Sequence, residues 1–208
     1  MDEPRDYRDI IAYEQGGEGR HHHRGKSSES VLDKEKILDA LPLGPGQTVL
    51  DAGCGNGYMA KEFLRRVGPA GRVYALDPDE AAIDRLRRET ESDGLIALAA
   101  DITAPTGLPG GAFDLVYLCT VVHGFSPEQF AGFAAEIDRL LAPGGFLAVV
   151  EIVKRESPFG PPLARRLSPE ELQARLALAP EPVVELGKYF YLQIFRAPPT
   201  AETGNPGG

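Results

Sequence analysis

The chain has 208 residues, 31 acidic against 22 basic, and a formal net charge of −9 at pH 7. That length suits one domain with a sizeable core. The acidic balance excludes nucleic acid held by bulk electrostatics, because phosphate backbones need a positive face. Two cysteines, Cys54 and Cys119, make no disulfide framework. No apolar run nears the roughly 18 residues of a membrane span, and Met1-Asp2-Glu3-Pro4-Arg5 does not read as a signal peptide. A reducing cytoplasm is therefore the expected location.

Residues 1–28 are polar and irregular, with Ile10, Ile11 and Tyr13 as their apolar anchors. They are expected to form a flexible lid over a pocket. His21-His22-His23 within them is either a metal-binding run or a solvated one. No cysteine or acid pair stands nearby at ligand spacing, so no metal is assigned. Ser30 is the expected cap of a short helix through Leu41, which Pro42 ends. Gly44-Pro45-Gly46 turns into the first strand.

Val49-Leu50-Asp51-Ala52-Gly53-Cys54-Gly55-Asn56-Gly57 reads as strand, tight turn and helix start. Alternate glycines allow positive φ and close approach of a ligand to the backbone. The helix that follows points free N–H groups at the turn. A nicotinamide fingerprint requires glycine where Tyr58 stands. Asp51 is better suited to a cationic amine than to a pyrophosphate.

Ala60, Phe63, Leu64 and Val67 then recur at helical spacing. Arg72 to Leu76 is a second strand, ending in Asp77. An acid there accepts hydrogen bonds from vicinal ribose hydroxyls. The competing role for Asp77 is a helix N-cap with Pro78 at N1, and Asp79 is the rival cap. A charged helix from Glu80 to Thr90 precedes a third strand, Leu95 to Ala100. It ends in Asp101-Ile102, an acid for an exocyclic amine beside an apolar residue for a purine face. The alternative for Asp101 is a turn cap ahead of Pro105 and Gly107.

Phe113 to Cys119 is a fourth strand, and Thr120 to Phe125 continues past its end. His123 in that stretch is either a general base or a residue that shapes the pocket. Ser126-Pro127-Glu128-Gln129 opens a capped helix. Pro143-Gly144-Gly145 turns into a fifth strand, Phe146 to Ile152. Residues 153–167 are longer than an ordinary connection and carry Lys154, Arg155, Arg165 and Arg166, which hints at binding. Pro182 to Leu186 and Tyr189 to Phe195 form a closing hairpin. Residues 198–208 are a disordered tail.

Val49 to Gly57, Ala75-Leu76-Asp77, Ala100-Asp101-Ile102 and Leu140 to Gly145 together resemble the class I S-adenosylmethionine (SAM)-dependent methyltransferases. Within them the resemblance is to the type 11 and ubiquinone/menaquinone methyltransferase-like group, over about residues 30–196. It implies an α/β, Rossmann-like three-layer sandwich spanning residues 29–197, with a mostly parallel seven-stranded sheet and a C-terminal antiparallel hairpin. The ligand is expected at the carboxyl ends of the strands, where strand order reverses. The resemblance implies SAM as cofactor, with S-adenosylhomocysteine (SAH) as product. It lays the methionine part along Gly53, Cys54, Gly55 and Gly57, the ribose on Asp77, and the adenine on Asp101 and Ile102. Asp51, Pro78 and Cys119 complete the expected cofactor-binding set, and His123 is the candidate catalytic residue. Residues 154–166 depart from the quinone enzymes, so the acceptor is an unnamed small molecule. A non-catalytic SAM-binding module and, behind it, a nicotinamide oxidoreductase are the alternatives. Cys54 and Cys119 suit small buried packing better than metalloid chemistry. Monomer and homodimer are both compatible with the closing hairpin.

Overall fold

The computed structural model of the protein describes residues 32–199. The expected lid of residues 1–28, His21–His23 and the Ser30 cap lie outside the described residues, as does the tail from residue 200.

The first described helix, α1 (Lys34–Ala40), starts on Asp33, whose side chain accepts from the Lys36 N–H. The chain then alternates: β1 (Thr48–Ala52), α2 (Tyr58–Val67), β2 (Arg72–Asp77), α3 (Glu80–Glu89) and β3 (Leu95–Ala99). After β4 (Phe113–Cys119) come α4 (Pro127–Leu140) and β5 (Leu141–Ile152). A short α5 (Pro169–Gln173) precedes β6 (Ala179–Pro180), β7 (Val184–Leu186) and β8 (Phe190–Arg196).

The sheet order is β3-β2-β1-β4-β5-β8-β6, with β7 also paired to β8. All pairs from β3 to β5 are parallel, and β8 runs antiparallel to β5, β6 and β7. Strand order reverses between β1 and β4, which opens a crevice at their carboxyl ends.

Helices cover both faces because the strands are apolar on both faces. Val49, Leu115, Tyr117 and Val150 pack with Ile37, Phe63 and Leu86 on the side of α1, α2 and α3. Leu50, Val116, Leu118 and Val149 pack with Phe133, Ile137 and Leu140 of α4 on the other side. The Ser126 and Ser168 capping boxes, each with proline in the first turn, start α4 and α5 as their sequences require.

The first described helix is capped by Asp33 rather than Ser30, and in the sheet the sequence expectation and the structure differ at two points. Pro143-Gly144-Gly145 lies inside β5, as an irregularity, rather than ahead of it. Pairing jumps from Phe113 with Leu141 to Leu115 with Phe146, and Gly144 takes up the kink at φ 74°. At the far edge, the seven expected strands gain an eighth, because β6 and β7 are two pieces along one edge of β8. Pro182, which has no N–H to donate, stands between them.

Buried Gln193 fills this break. Its Nε2 donates to Glu181 O at 2.7 Å and Ile194 O at 2.8 Å, and its Oε1 accepts from Gln173 Nε2 at 2.8 Å. Gln193→Leu removes these bonds from a fully buried position and should cost about 1–3 kcal/mol in urea unfolding. An unchanged midpoint would show that the edge is held some other way.

Candidate functional site

Everything placed at the crevice starts from the turn after β1. Gly53, Gly55 and Gly57 have φ of 76°, 53° and 74°, a region in which other residues are strained. The Gly53 and Cys54 N–H groups both donate to Leu76 O, at 2.7 and 3.0 Å, and so fasten the turn to β2. A Cβ on Gly53 would stand 2.6 Å from Val121 Cγ2, and one on Gly57 would stand 2.4 Å from Leu86 Cδ1. Gly57 therefore serves helix packing, and Gly53 lets the segment after β4 close over the turn.

Asp77 ties the same turn from the side. Its Oδ2 accepts from Gly55 N and its Oδ1 from Asp79 N, each at 2.9 Å. Asp79, not Asp77, caps α3, accepting from the Ala81 and Ala82 N–H groups. That leaves Asp77 facing the crevice, where each carboxylate oxygen keeps acceptor capacity.

The crevice is a cavity of about 600 Å³. Asp51, Gly53, Cys54, Gly55, Asp77, Pro78, Asp101 and Cys119 all border it. Gly57 lies behind the turn. Ile102 is 3% exposed and belongs to the core on the α4 side. Apolar surface on the cavity wall comes from residues that include Pro78, Ala81 and Val121. Asp101 Oδ1 accepts from Thr103 N and Thr103 Oγ1, both at 2.8 Å, so it caps a turn while bordering the cavity.

Asp51 is the most unusual member. It is 3% exposed, and its Oδ2 has no hydrogen-bond partner among the described residues. Burial pushes its carboxyl up to about 7, against the Ala60 N–H, which favours the carboxylate; the Asp77 charge adds to the rise. A cation arriving at Oδ2 would reverse this. Burial, with the charges of Asp51 and Asp77, also pushes the Cys54 thiol up. Cys54 is thus no source of thiolate. Burial likewise raises the Tyr117 hydroxyl well above its ordinary value, so it stays protonated near neutral pH.

His123 does not border this cavity. It sits on a 3-10 turn, Val122–Gly124, with its Nδ1 2.8 Å from Glu151 Oε2. Glu151 is 1% exposed. Burial works to lower the imidazole pKa, but the Glu151 charge and hydrogen bond outweigh it and raise the value, against Arg166 and Arg165. With Nδ1–H donated to Glu151, Nε2 is the ring's free acceptor when His123 is neutral. His123 faces a second cleft, of about 380 Å³, which meets the first at Gly124, Phe125 and Gln129.

Three contributors escaped sequence reading. Leu32, Lys34 and Ile37 bring α1 to the cavity wall. Lys34 is fixed there by Glu62 at 2.8 Å and lies 5.5 Å from the Tyr58 ring centre. Thr120, on the wall, has φ 55°, the sole positive φ of a non-glycine among the described residues. Such strain costs about 1–3 kcal/mol. Its N–H donates to Val150 O at 2.8 Å. Glu151 had a legible signal, an acid near the end of an unbroken apolar strand, as at Asp51, Asp77 and Asp101.

A family model described as a methyltransferase domain matches residues 49–145. A SAM-dependent methyltransferase structure from Aquifex aeolicus superposes with a TM-score of 0.72 at 27% identity, covering 80% of this chain and 90% of that one. Residues 49–145 thus match a methyltransferase domain, and the chain shares the fold of a SAM-dependent methyltransferase. An uncharacterized methyltransferase of Synechocystis is 34% identical over 129 residues, 61% of this chain and 58% of the relative. The ubiquinone/menaquinone biosynthesis C-methyltransferase of Hydrogenovibrio crunogenus is 33% identical over 130 residues, 61% of this chain and 50% of that one. The chain thus spans about half the length of these curated relatives. A geranyl diphosphate C-methyltransferase structure in complex with SAH, from Streptomyces coelicolor, shares the fold with a TM-score of 0.65 at 17% identity.

Glu151→Gln should take the His123 pKa from above its ordinary value to below it, because burial and the arginine charges then act unopposed. Titration of the His123 ring by NMR reads this directly, and an unchanged midpoint would mean that Glu151 does not set it.

Proposed function

We propose that the chain transfers a methyl group from SAM to a small-molecule acceptor, and that the 600 Å³ cavity receives the donor. The observation that carries this reading is the orphaned Asp51 Oδ2, buried at the base of a glycine turn in an acid-walled cavity. A pyrophosphate would be repelled there, whereas the ammonium and sulfonium of SAM would be attracted.

The residues present fit that donor. Asp51 would accept from the ammonium, and the backbone from Gly53 to Gly57 would lie along the methionine chain. Asp77 has spare acceptor capacity for ribose hydroxyls. Asp101 would take the adenine amine, with Pro78 and Val121 against the ring and Ile102 holding the turn from the core. Cys119 would contribute a small, soft wall.

When bound, SAM supplies an electrophilic methyl on a sulfonium. The protein's part is alignment and exclusion of water. His123, held by Glu151, would take the acceptor's proton at Nε2 where the acceptor carries one.

Two measurements test the reading. Calorimetry with SAH should give saturable binding that weakens at least about tenfold in Asp77→Ala, and incubation of SAM with candidate acids, phenols and thiols should release SAH. Absence of SAH binding would overturn the donor site. Binding without turnover of any acceptor would favour a non-catalytic module.

Asp51 adds a pH signature. Its folded value of about 7 stands above the ordinary 3.8, so in that window the unliganded fold holds a proton that the unfolded chain has released. Its contribution to stability is therefore present at low pH and lost as pH rises through 7. Affinity for SAH should run the opposite way, falling by up to about tenfold per unit below pH 7, with proton release on binding. Asp51→Asn should flatten that dependence; a wild-type affinity that is level from pH 5 to 8 would contradict the assignment.

A further inference from the structure

The donor cavity is bordered by Asp51, Asp77, Asp79, Glu80 and Asp101, with Lys34 as its basic member. The adjoining cleft is the reverse. His123, Arg165 and Arg175 border it, and among its described lining residues there is no carboxylate. In a chain of net charge −9, two joined spaces of opposite character call for two ligands of opposite charge.

Two of these basic groups, His123 and Arg175, are held by neighbouring side chains. Arg175 holds its guanidinium 5.3 Å from the centre of the Phe130 ring, a cation–π contact. Arg165 ends the 3-10 turn Leu163–Arg165, within the long loop after β5. That loop is wound around the neighbouring Arg166, which is 4% exposed. The Arg166 guanidinium donates to Arg155 O and Pro161 O at 2.7 Å, Ser157 Oγ at 2.8 Å and Phe159 O at 2.9 Å. His123 is fixed by Glu151 behind it. A guanidinium matches carboxylate and phosphate oxygens, and one resting on an aromatic ring loses less freedom on binding. Val122, Phe125 and Leu167 supply apolar wall for the rest of a small molecule.

We propose that this second cleft binds an anionic group of the methyl acceptor, a carboxylate or phosphate, and that Arg165 and Arg175 select for it. The proposal rests on the larger cavity being the donor's. It gives a purpose to the length and basic character of residues 153–167, which donor binding leaves unused.

The test is a titration of benzoate, and separately of inorganic phosphate, into the full-length protein, with and without saturating SAH. The His123 ring resonances, identified by their loss in His123→Asn, are followed by NMR. The expected result is a saturable shift with at least one anion, weakened at least tenfold in Arg165→Gln/Arg175→Gln, while calorimetry shows unchanged SAH affinity. A stronger response to benzoate assigns a carboxylate, and a stronger response to phosphate assigns a phosphate. No saturable shift with either anion, or the same shift in the double variant, would overturn the proposal. If SAH binds and neither anion moves His123, this inference fails alone. If the anions bind as expected and SAH does not, the donor reading fails instead. Turnover gives a second reading, since acceptor acids should be methylated in preference to their neutral amides.

Discussion

The structure depends on one buried carboxylate that joins two strands to a turn. Asp77, at the end of β2, takes the Gly55 N–H on one oxygen and the Asp79 N–H on the other. The Gly53 and Cys54 N–H groups meanwhile seize the carbonyl of Leu76 next to it. Four backbone donors are thereby satisfied by two adjacent residues of one strand, and the glycine turn has a single place to lie. The left-handed φ values at Gly53, Gly55 and Gly57 are the conformational condition for that arrangement.

From this constraint the electrostatics follow. The turn brings the end of β1 beside the end of β2, so the Asp77 charge adds to the cost of ionising buried Asp51. Burial of Asp51 without a partner for Oδ2 is a liability for the unliganded fold, because an unpaired buried acceptor costs about 1–3 kcal/mol. A cation arriving at Oδ2 would offset that cost for the ionised carboxylate. Across the strand-order reversal, the segment after β4 carries the opposite design. Strained Thr120 redirects the chain so that Val121 packs on Gly53 and the Val122–Gly124 turn presents His123 to Glu151. One side of the strand-order reversal thus carries the acidic cavity, and the other carries the basic cleft.

Much of this was legible in the chain because it rests on local signals. Strand–acid–glycine spacing located the turn, Asp77 and Asp101, and the apolar runs gave the five parallel strands. Asp79 as the true cap of α3 was readable as a rival and needed only the backbone to decide it. Three features were not legible. Ile102 looked like a wall residue, yet it points into the core, and side-chain direction at a strand end is set by the turn that follows. Thr120 has no sequence signature, since a β-branched residue gives no warning of positive φ. The division of the last edge into β6 and β7 depends on buried Gln193 filling the break beside Pro182, a pairing across residues distant in sequence. The acid at Glu151 obeyed the same rule as the other strand-end acids, and could have been found by applying that rule to β5.

The central claim is that the orphaned oxygen of Asp51 and the bare turn above it form the seat of a SAM-type donor. A crystal structure of the protein grown with SAH tests it most directly. The account predicts an ammonium nitrogen within hydrogen-bond reach of Asp51 Oδ2 and ribose hydroxyls on Asp77, with the backbone of Gly53 to Gly57 alongside. SAH bound elsewhere, or bound in this cavity with its ammonium turned away from Asp51, would contradict it.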